Sequence, residues 1–385
     1  MKSVRINVSK DILLKALQQV LKAVPANQRI PILAGVHIQA LSNELIVTAS
    51  NSSMTIQYRI PGEDTSLTVQ RIGEVVVPAR YFCEILRKSD SGMITLEVDR
   101  SLRLTISSEH TQIRLCGMDA VDYPAIHPAE NHAALKLAVN NQLLKASILQ
   151  VAGAASSSEH RPVLTGVSFQ YRNHRLQLTA TNGIRLASRT IDVEHKAEMD
   201  KHIIIPGRNL VEAVKIMDGE DRTTEVEVTN RHVRFTANHI MVQSALIEGE
   251  YPSLHHVIPH TFISEITIGT APLLKAVERT TVLASESIIR LETAADRLRL
   301  LSQTAEIGDI EDEVAIFEKK GEDFTISLNG KYVADILHGT SSEFIRLRFT
   351  GKMSPIVIHP LNDLSSTFFL ITPVRTANLA RPNST

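Results

Sequence analysis

Apolar residues fall at helical spacing in six short stretches of this chain, with strand-like runs between them. Leu13, Leu17, Val20, Leu21 and Val24 mark a first helix, which Ser9 is placed to N-cap and which stops before Pro31. Phe82, Ile85 and Leu86 mark a second, with Pro78 near its first position. A third carries Leu144, Ile148, Val151 and Ala152, and a fourth carries Leu210, Ala213, Val214 and Met217. The fifth is marked by Leu273, Val277 and Ala284, the sixth by Val333, Ile336 and Leu337. Alternating or β-branched runs predict strands at 4–8, 36–40, 45–49, 74–77, 94–98, 102–106 and 113–115, and again at 167–171, 176–181, 226–228, 233–237 and 241–246.

The order of these elements repeats. Leu-Leu-Lys-Ala occurs at Leu13 to Ala16, Leu143 to Ala146 and Leu273 to Ala276, 130 residues apart each time. Arg29-Ile30-Pro31-Ile32-Leu33-Ala34-Gly35-Val36 returns as Arg161-Pro162-Val163-Leu164-Thr165-Gly166-Val167. Val77-Pro78-Ala79-Arg80 returns as Ile205-Pro206-Gly207-Arg208 and more faintly as Leu328-Asn329-Gly330-Lys331, and Tyr123-Pro124 returns as Tyr251-Pro252. A period this long with three copies means tandem globular domains, not a solenoid. The expected class is α+β, in three copies at residues 1–129, 130–260 and 261–376, each made of two halves of strand, helix and antiparallel strands. Polar, Pro-rich stretches at 128–133 and 259–265 are the expected linkers, and 377–385 is expected to be a disordered tail.

Composition bounds the function. A hydrophobic fraction of 43% with 22% charged residues describes an ordinary globular protein, and no apolar run is long enough to span a membrane. Residues 1–10 lack the apolar core of a signal peptide, so a cytoplasmic location is expected. Cys83 and Cys116 are expected to be reduced, buried thiols. Net charge is −1, but it is unevenly spread: windows 9–24, 79–89, 140–153, 207–217, 270–285 and 330–338 carry +2, +2, +1, +1, +1 and 0, leaving −8 elsewhere. Any one basic helix is unremarkable, because Lys and Arg are good helix formers. Six related helices, none net negative, in a chain acidic elsewhere suit a common basic surface for a polyanion. The candidate phosphate-facing residues are Lys10, Lys15, Lys22, Arg80, Arg87, Lys88, Lys145, Arg208, Lys215, Lys275, Arg279 and Lys331. Contacts of that kind carry no base-sequence information.

Motifs for catalysis are missing. Of the 15 histidines only His256 and His260 have His-x-x-x-His spacing, and Pro259 between them breaks the helix such a pair needs; no Gly-x-Gly-x-x-Gly, Walker or Gly-x-Ser-x-Gly sequence occurs. The carboxylate run Glu306 to Glu313 lacks the spacing of a calcium loop and reads as a solvated or interface edge. Neither catalysis nor a metal or other cofactor is expected.

Three repeats of paired helix-and-sheet halves with six basic helices resemble the bacterial sliding clamps, the β subunits of DNA polymerase III, most closely those of Gram-positive, Bacillus-like bacteria. The resemblance runs from Val4 to Arg375 and is most specific at Ile30-Pro31-Ile32-Leu33, Arg161 to Val167, Thr181-Asn182-Gly183-Ile184-Arg185-Leu186-Ala187, Glu250-Tyr251-Pro252 and Leu370-Ile371-Thr372-Pro373-Val374-Arg375. It implies a head-to-tail homodimeric ring around duplex DNA, lined by helices. It also implies docking of the replicative polymerase, the clamp loader and repair polymerases through short peptide motifs. The implied docking groove is Leu164, Thr181, Gly183, Arg185, Leu186, Pro252, Val257, Met353, Leu370, Pro373, Val374 and Arg375. The implied dimer contact joins Arg103, His110, Ile113 and Arg114 of one chain to Val282, Leu283, Glu306, Asp309 and Glu311 of the other. The family usually reads Thr-Asp-Gly-His-Arg-Leu where this chain has Asn182 and Ile184, and ten residues follow Arg375. Those departures suit a second, specialised clamp copy. A scaffold of triplicated domains that never closes around DNA fits the same residues, and native mass separates the two readings.

Overall fold

The computed structural model of the chain describes residues 4–25, 30–62, 66–90, 92–124, 135–193, 200–217, 223–254, 256–304, 307–361 and 366–375. The 128–133 linker, His255, Glu306 and the tail after Arg375 lie outside them. All six expected helices form: α1 (Lys10–Val20), α2 (Ala79–Lys88), α3 (Asn141–Ala152), α4 (Gly207–Ala213), α5 (Thr270–Val282) and α6 (Gly330–His338). Each follows directly on a strand and buries most of the stripe that its sequence predicts, with Ile85 of α2 half-buried. Leu13, Leu17 and Val20 of α1, Phe82 and Leu86 of α2, and Ile148 of α3 are wholly enclosed.

The elements sort into two compact units, residues 1–141 with 212–246 and residues 142–211 with 247–385, so the middle repeat divides between them. Strand pairing gives the reason. In the first unit, strand Ile240–Ala245 of the middle repeat pairs with Met54–Pro61 of the first, building an eight-stranded antiparallel sheet beside a five-stranded one. In the second unit, strand Arg185–Asp192 pairs with Ser366–Ile371 of the last repeat, joining twelve strands in one sheet. Each repeat is thus welded to the next by backbone hydrogen bonds.

Several expectations need correction. The tetrapeptide repeat is out of structural register in the middle copy. Strands end and helices begin at Ser9/Lys10, Asn140/Asn141 and Gly269/Thr270, so the equivalent of Leu13 and Leu273 is Leu144, not Leu143. Burial agrees: Leu13, Leu144 and Leu273 are all at most 1% exposed. Ser9 occupies the N-cap of α1 but its hydroxyl makes no cap bond, and Pro78 is the N-cap of α2, just before the helix. Ala284 falls beyond α5. Cys83 is buried, but Cys116 is exposed because it lies on the strand at the edge of the five-stranded sheet. Strand Ser264–Gly269 takes the last two residues of the expected second linker.

The recurring Gly-Val motif has a packing cause. A Cβ on Gly35 would lie 2.4 Å from Val76 Cγ1, and one on Gly166 would lie 2.5 Å from Ile204 Cγ2. Only glycine lets these paired strands meet ahead of α2 and α4.

Candidate functional site

Twelve groove residues were expected from five separate stretches, and the second unit carries all of them. Register brings three of these stretches to one end of the sheet. Arg185 pairs with Ile371, and Ile371 pairs with Ile356. The turn before Arg185, the segment after Ile371 and the turn before Ile356 therefore leave the sheet at one end. These carry Thr181 to Ile184, Thr372 to Arg375, and Met353 respectively. Leu186 lies opposite Leu370, which lies opposite Val357, so three apolar side chains form a row across adjacent strands. Leu186 and Leu370 are only 3% and 2% exposed and form a floor, whereas Met353 (59%) and Val257 (42%) stand open. Leu164, in the turn Pro162–Thr165 ahead of strand Gly166–Arg172, is buried.

The turn is held by its own polar groups. Asn182 Oδ1 accepts the N–H of Ile184 (3.0 Å) and of Arg185 (2.9 Å). Either Asn or Asp supplies that oxygen, so Asn182 preserves the local shape. Gly183 adopts φ +87°, a left-handed value that glycine takes without strain. Thr181 Oγ1 donates to the Arg185 carbonyl (2.7 Å), and its N–H is accepted by Tyr251 Oη (3.0 Å), a phenol that burial pushes up to about 12. Ile184 is 47% exposed, while its carbonyl accepts the Thr372 N–H at 2.9 Å. Its side chain adds apolar surface at the lip of the groove.

Arg185 is engaged rather than open. Its guanidinium donates to Asp335 Oδ2 (2.7 Å) and to the Gly153 carbonyl, and lies over the Tyr332 ring at 4.3 Å. Asp335 and Tyr332 belong to α6, so Arg185 locks the groove turn to that helix. Arg375, by contrast, is exposed.

The first unit contains an internal control. Ser50 to Met54 repeats the turn: Asn51 Oδ1 accepts the N–H of Ser53 (3.2 Å) and Met54 (2.9 Å), and Ser52 has φ 73° where Gly183 stands in the other copy. The positions of Leu186 and Leu370 are held there by Thr55 and Gln243, which face each other in the same register. One scaffold has two turns but only one apolar floor.

Of the twelve basic candidates, ten are exposed on helices or on the helical turns that continue them. Lys10 and Lys145 are half-buried. The register shift explains Lys145, which takes the place of Leu14 and not of Lys15. Arg87 pairs with Glu84, Lys215 with Glu212 (2.6 Å), Lys10 with Asp11 (3.3 Å) and Arg279 with Asp312 (2.6 Å). The Arg279 hydrogen bond holds the Asp312 carboxyl below its usual pKa.

Of the dimer candidates, Arg103, Ile113, Arg114, Asp309 and Glu311 lie on strands, and His110 lies in the turn before strand Gln112–Cys116. Strand Gln112–Cys116, with Ile113 and Arg114, ends the five-stranded sheet next to Arg103 on strand Arg103–Ser107. From Gly308 onward the acidic run is part of a strand. Within Gly308–Gly321, residues 308–315 pair with 297–304 on one side, and pairing on the other begins only at Ile316. Asp309 and Glu311 are exposed on one face, with Glu311 held by Arg299 Nε at 2.7 Å. Val282 is 78% exposed at the end of α5, and Leu283 beside it is half-buried.

Comparison with known proteins places the fold in a family. Models of the DNA polymerase III beta subunit match the N-terminal domain at residues 4–127, the central domain at 138–253 and the C-terminal domain at 255–375. The chain belongs to the DNA polymerase III beta subunit family. It is 33% identical over 379 residues to the beta sliding clamp of Bacillus subtilis, covering 97% of this chain and 100% of that one. The crystal structure of the DNA polymerase sliding clamp from Bacillus subtilis superposes with a TM-score of 0.93 over the same shares. That of the beta subunit from Streptococcus pyogenes gives 0.91 at 26% identity, covering 97% and 100%. Members of this family are non-catalytic processivity subunits, and this chain is one of them. Missed from sequence alone were Tyr332, Asp335 and Tyr251. Their partners at the groove turn lie 70 to 150 residues away, and only the Tyr-Pro repeat gave a signal for one of them.

Proposed function

We propose that two copies of this chain close head to tail into a ring around duplex DNA, which tethers the replicative polymerase and, in turn, the clamp loader and repair polymerases through the Leu186–Leu370 groove. The observation that carries the docking part is the single apolar floor in a duplicated scaffold. For closure, an edge bearing Arg103 and Arg114 and an edge bearing Asp309 and Glu311 are complementary in charge, and a two-fold axis repeats the contact twice. Inside the ring, the exposed lysines and arginines of the helices face the phosphates. Lys10, Arg87, Lys215 and Arg279 already have acidic partners, so direct attraction to DNA is weak and persistence comes from topology.

Direct binding tests this division of labour. Fluorescence anisotropy with two unrelated linear duplexes should give equal affinities that drop at least about tenfold between 50 and 200 mM salt, as expected for a few released counterions. A preference for one sequence, or indifference to salt, would count against a phosphate-facing basic surface and favour a protein-binding scaffold.

A further inference from the structure

The first unit carries a cavity of about 310 Å³ that plays no part in the groove. Four neighbouring strands floor it with polar side chains. His37 lies opposite Thr48, Thr48 opposite Gln57, and Gln39 opposite Glu74, so these residues share one face of the eight-stranded sheet. The segment from Ala120 to Pro124 walls the space. That wall is held firmly: Tyr123 packs with Leu33 and Val76 in a small buried cluster, and the Asp119 carboxylate accepts the Val121 N–H at 3.1 Å. The Tyr123 hydroxyl is spent on the fold, since it donates toward the Gly35 and Thr48 carbonyls at 3.5 and 3.4 Å.

Among the described residues that line the cavity, Glu74 is the one carboxylate, and no Lys or Arg accompanies it. Its Oε2 lies 2.9 Å from His37 Nε2, and its other oxygen has no partner among the described residues. Burial outweighs the Glu74 charge and pushes the His37 imidazole below its ordinary pKa, so the ring is neutral near pH 7. A neutral ring that donates from Nε2 leaves Nδ1 as an acceptor. Gln57 Nε2 donates to Thr48 Oγ1 at 3.4 Å, which leaves the Gln57 carboxamide oxygen as another acceptor. The lining is therefore negative and richer in acceptors than in free donors. Asp119 and Asp122 on the walling turn add to the negative potential. An anion would meet no counter-charge here, whereas an ammonium group brings a positive charge, three donors and no acceptor. The volume far exceeds the roughly 30 Å³ share of one water, so a short stem fits behind such a group.

The charge does not belong to the repeated scaffold. Gly35 pairs with Pro78 as Gly166 pairs with Pro206, which puts Ser168 in the place of His37 and His202 in the place of Glu74. Ser168 Oγ and His202 Nε2 lie 2.8 Å apart, and no Asp, Glu, Lys or Arg among the described residues lines the cavity there. One position pair is kept in both copies, and only the first copy carries a carboxylate.

We infer that the first-unit cavity binds a small organic cation, the ammonium group that a lysine side chain or a free amino terminus of a partner protein presents. Each protomer then has a second recognition site, opposite in character to the apolar groove and independent of it.

Saturation-transfer NMR at pH 7 on the full-length protein tests this with three probes: Nα-acetyl-lysine methylamide, alanine methylamide with its free amino group, and Nα-acetyl-norleucine methylamide, which keeps a stem without the charge. The better of the two cationic probes should bind saturably with a Kd on the order of 5 mM, as suits one charged group on a short stem. Tighter binding of the lysine probe assigns the cation to a side chain, tighter binding of the alanine probe assigns it to an amino terminus, and either result supports the site. Glu74→Gln should weaken the better probe at least about tenfold, the loss expected of a hydrogen bond to a charged group. Val121→Lys, at a wall position that is 82% exposed, should weaken it as well by offering the carboxylate a cation of the protein's own. An unchanged melting temperature shows that each variant is folded. Cationic probes that bind no better than the norleucine probe, or an affinity that survives both variants, overturn the site and leave a water-filled cavity.

Discussion

Replacing Met353 and Val374 together with aspartate raises the Kd of a Gln-Leu-x-Leu-Phe type peptide at least about a hundredfold, close to 2.7 kcal/mol, and leaves dimer mass and thermal stability unchanged. Two docked hydrophobic side chains that bury about 300 Å² of apolar surface contribute roughly 7 kcal/mol before ordering costs, which suits micromolar, exchangeable binding. Met353 is 59% exposed on a turn, and Val374 is half-buried, its N–H donating to the Ser327 carbonyl at 2.9 Å. A carboxylate at either place disturbs little of the fold but must lose water when a hydrophobic ligand arrives. Leu186 and Leu370 could not serve for this test, because they belong to the core as much as to the groove. Unchanged peptide affinity in the double variant, measured by fluorescence anisotropy, removes the groove from the docking role.

Reversing Arg103 and Arg114 to glutamate converts the dimer to monomers at micromolar concentration. Arg103 lies opposite Cys116 and Arg114 opposite Thr105, so both arginines project from the same face of the strand pair. Asp309 and Glu311 alternate on one face of strand Gly308–Gly321, at the edge with no strand paired to it among the described residues before Ile316. Placing like charges across such a contact costs several kcal/mol. Arg299 already neutralises part of Glu311, so the effect should be larger with both reversals than with Arg114→Glu alone. Sedimentation that still shows a dimer in the double variant would refute this pairing of edges.

The helices were legible because each one solves a local problem. The spacing of Leu13, Leu17 and Val20 needs no knowledge of the rest of the chain. Strands Met54–Pro61, Arg185–Asp192 and Ser366–Ile371 were not read, and two of the long-range pairings hang on them. Their side chains are buried on both faces in places, as at Ala187 and Ser188, so alternation is lost, and their partners lie far away in sequence. The groove was legible as a set of residues through its resemblance to a family, and its shape was not. Nothing in the sequence joined Arg185 to Asp335 and Tyr332, about 150 residues on, which engage it. Lys145 looked equivalent to Lys15 because four letters matched, while the strand–helix boundary places it one residue off.

The central claim is that the dimer holds DNA by enclosure, so the most direct measurement compares circles with linear DNA. Protein loaded on a nicked circular plasmid should co-elute with it through gel filtration in salt that abolishes direct binding, and cutting the plasmid once should release it over the ends. Loss from the closed circle at the same rate as from the linear form would contradict enclosure and leave an open scaffold in its place.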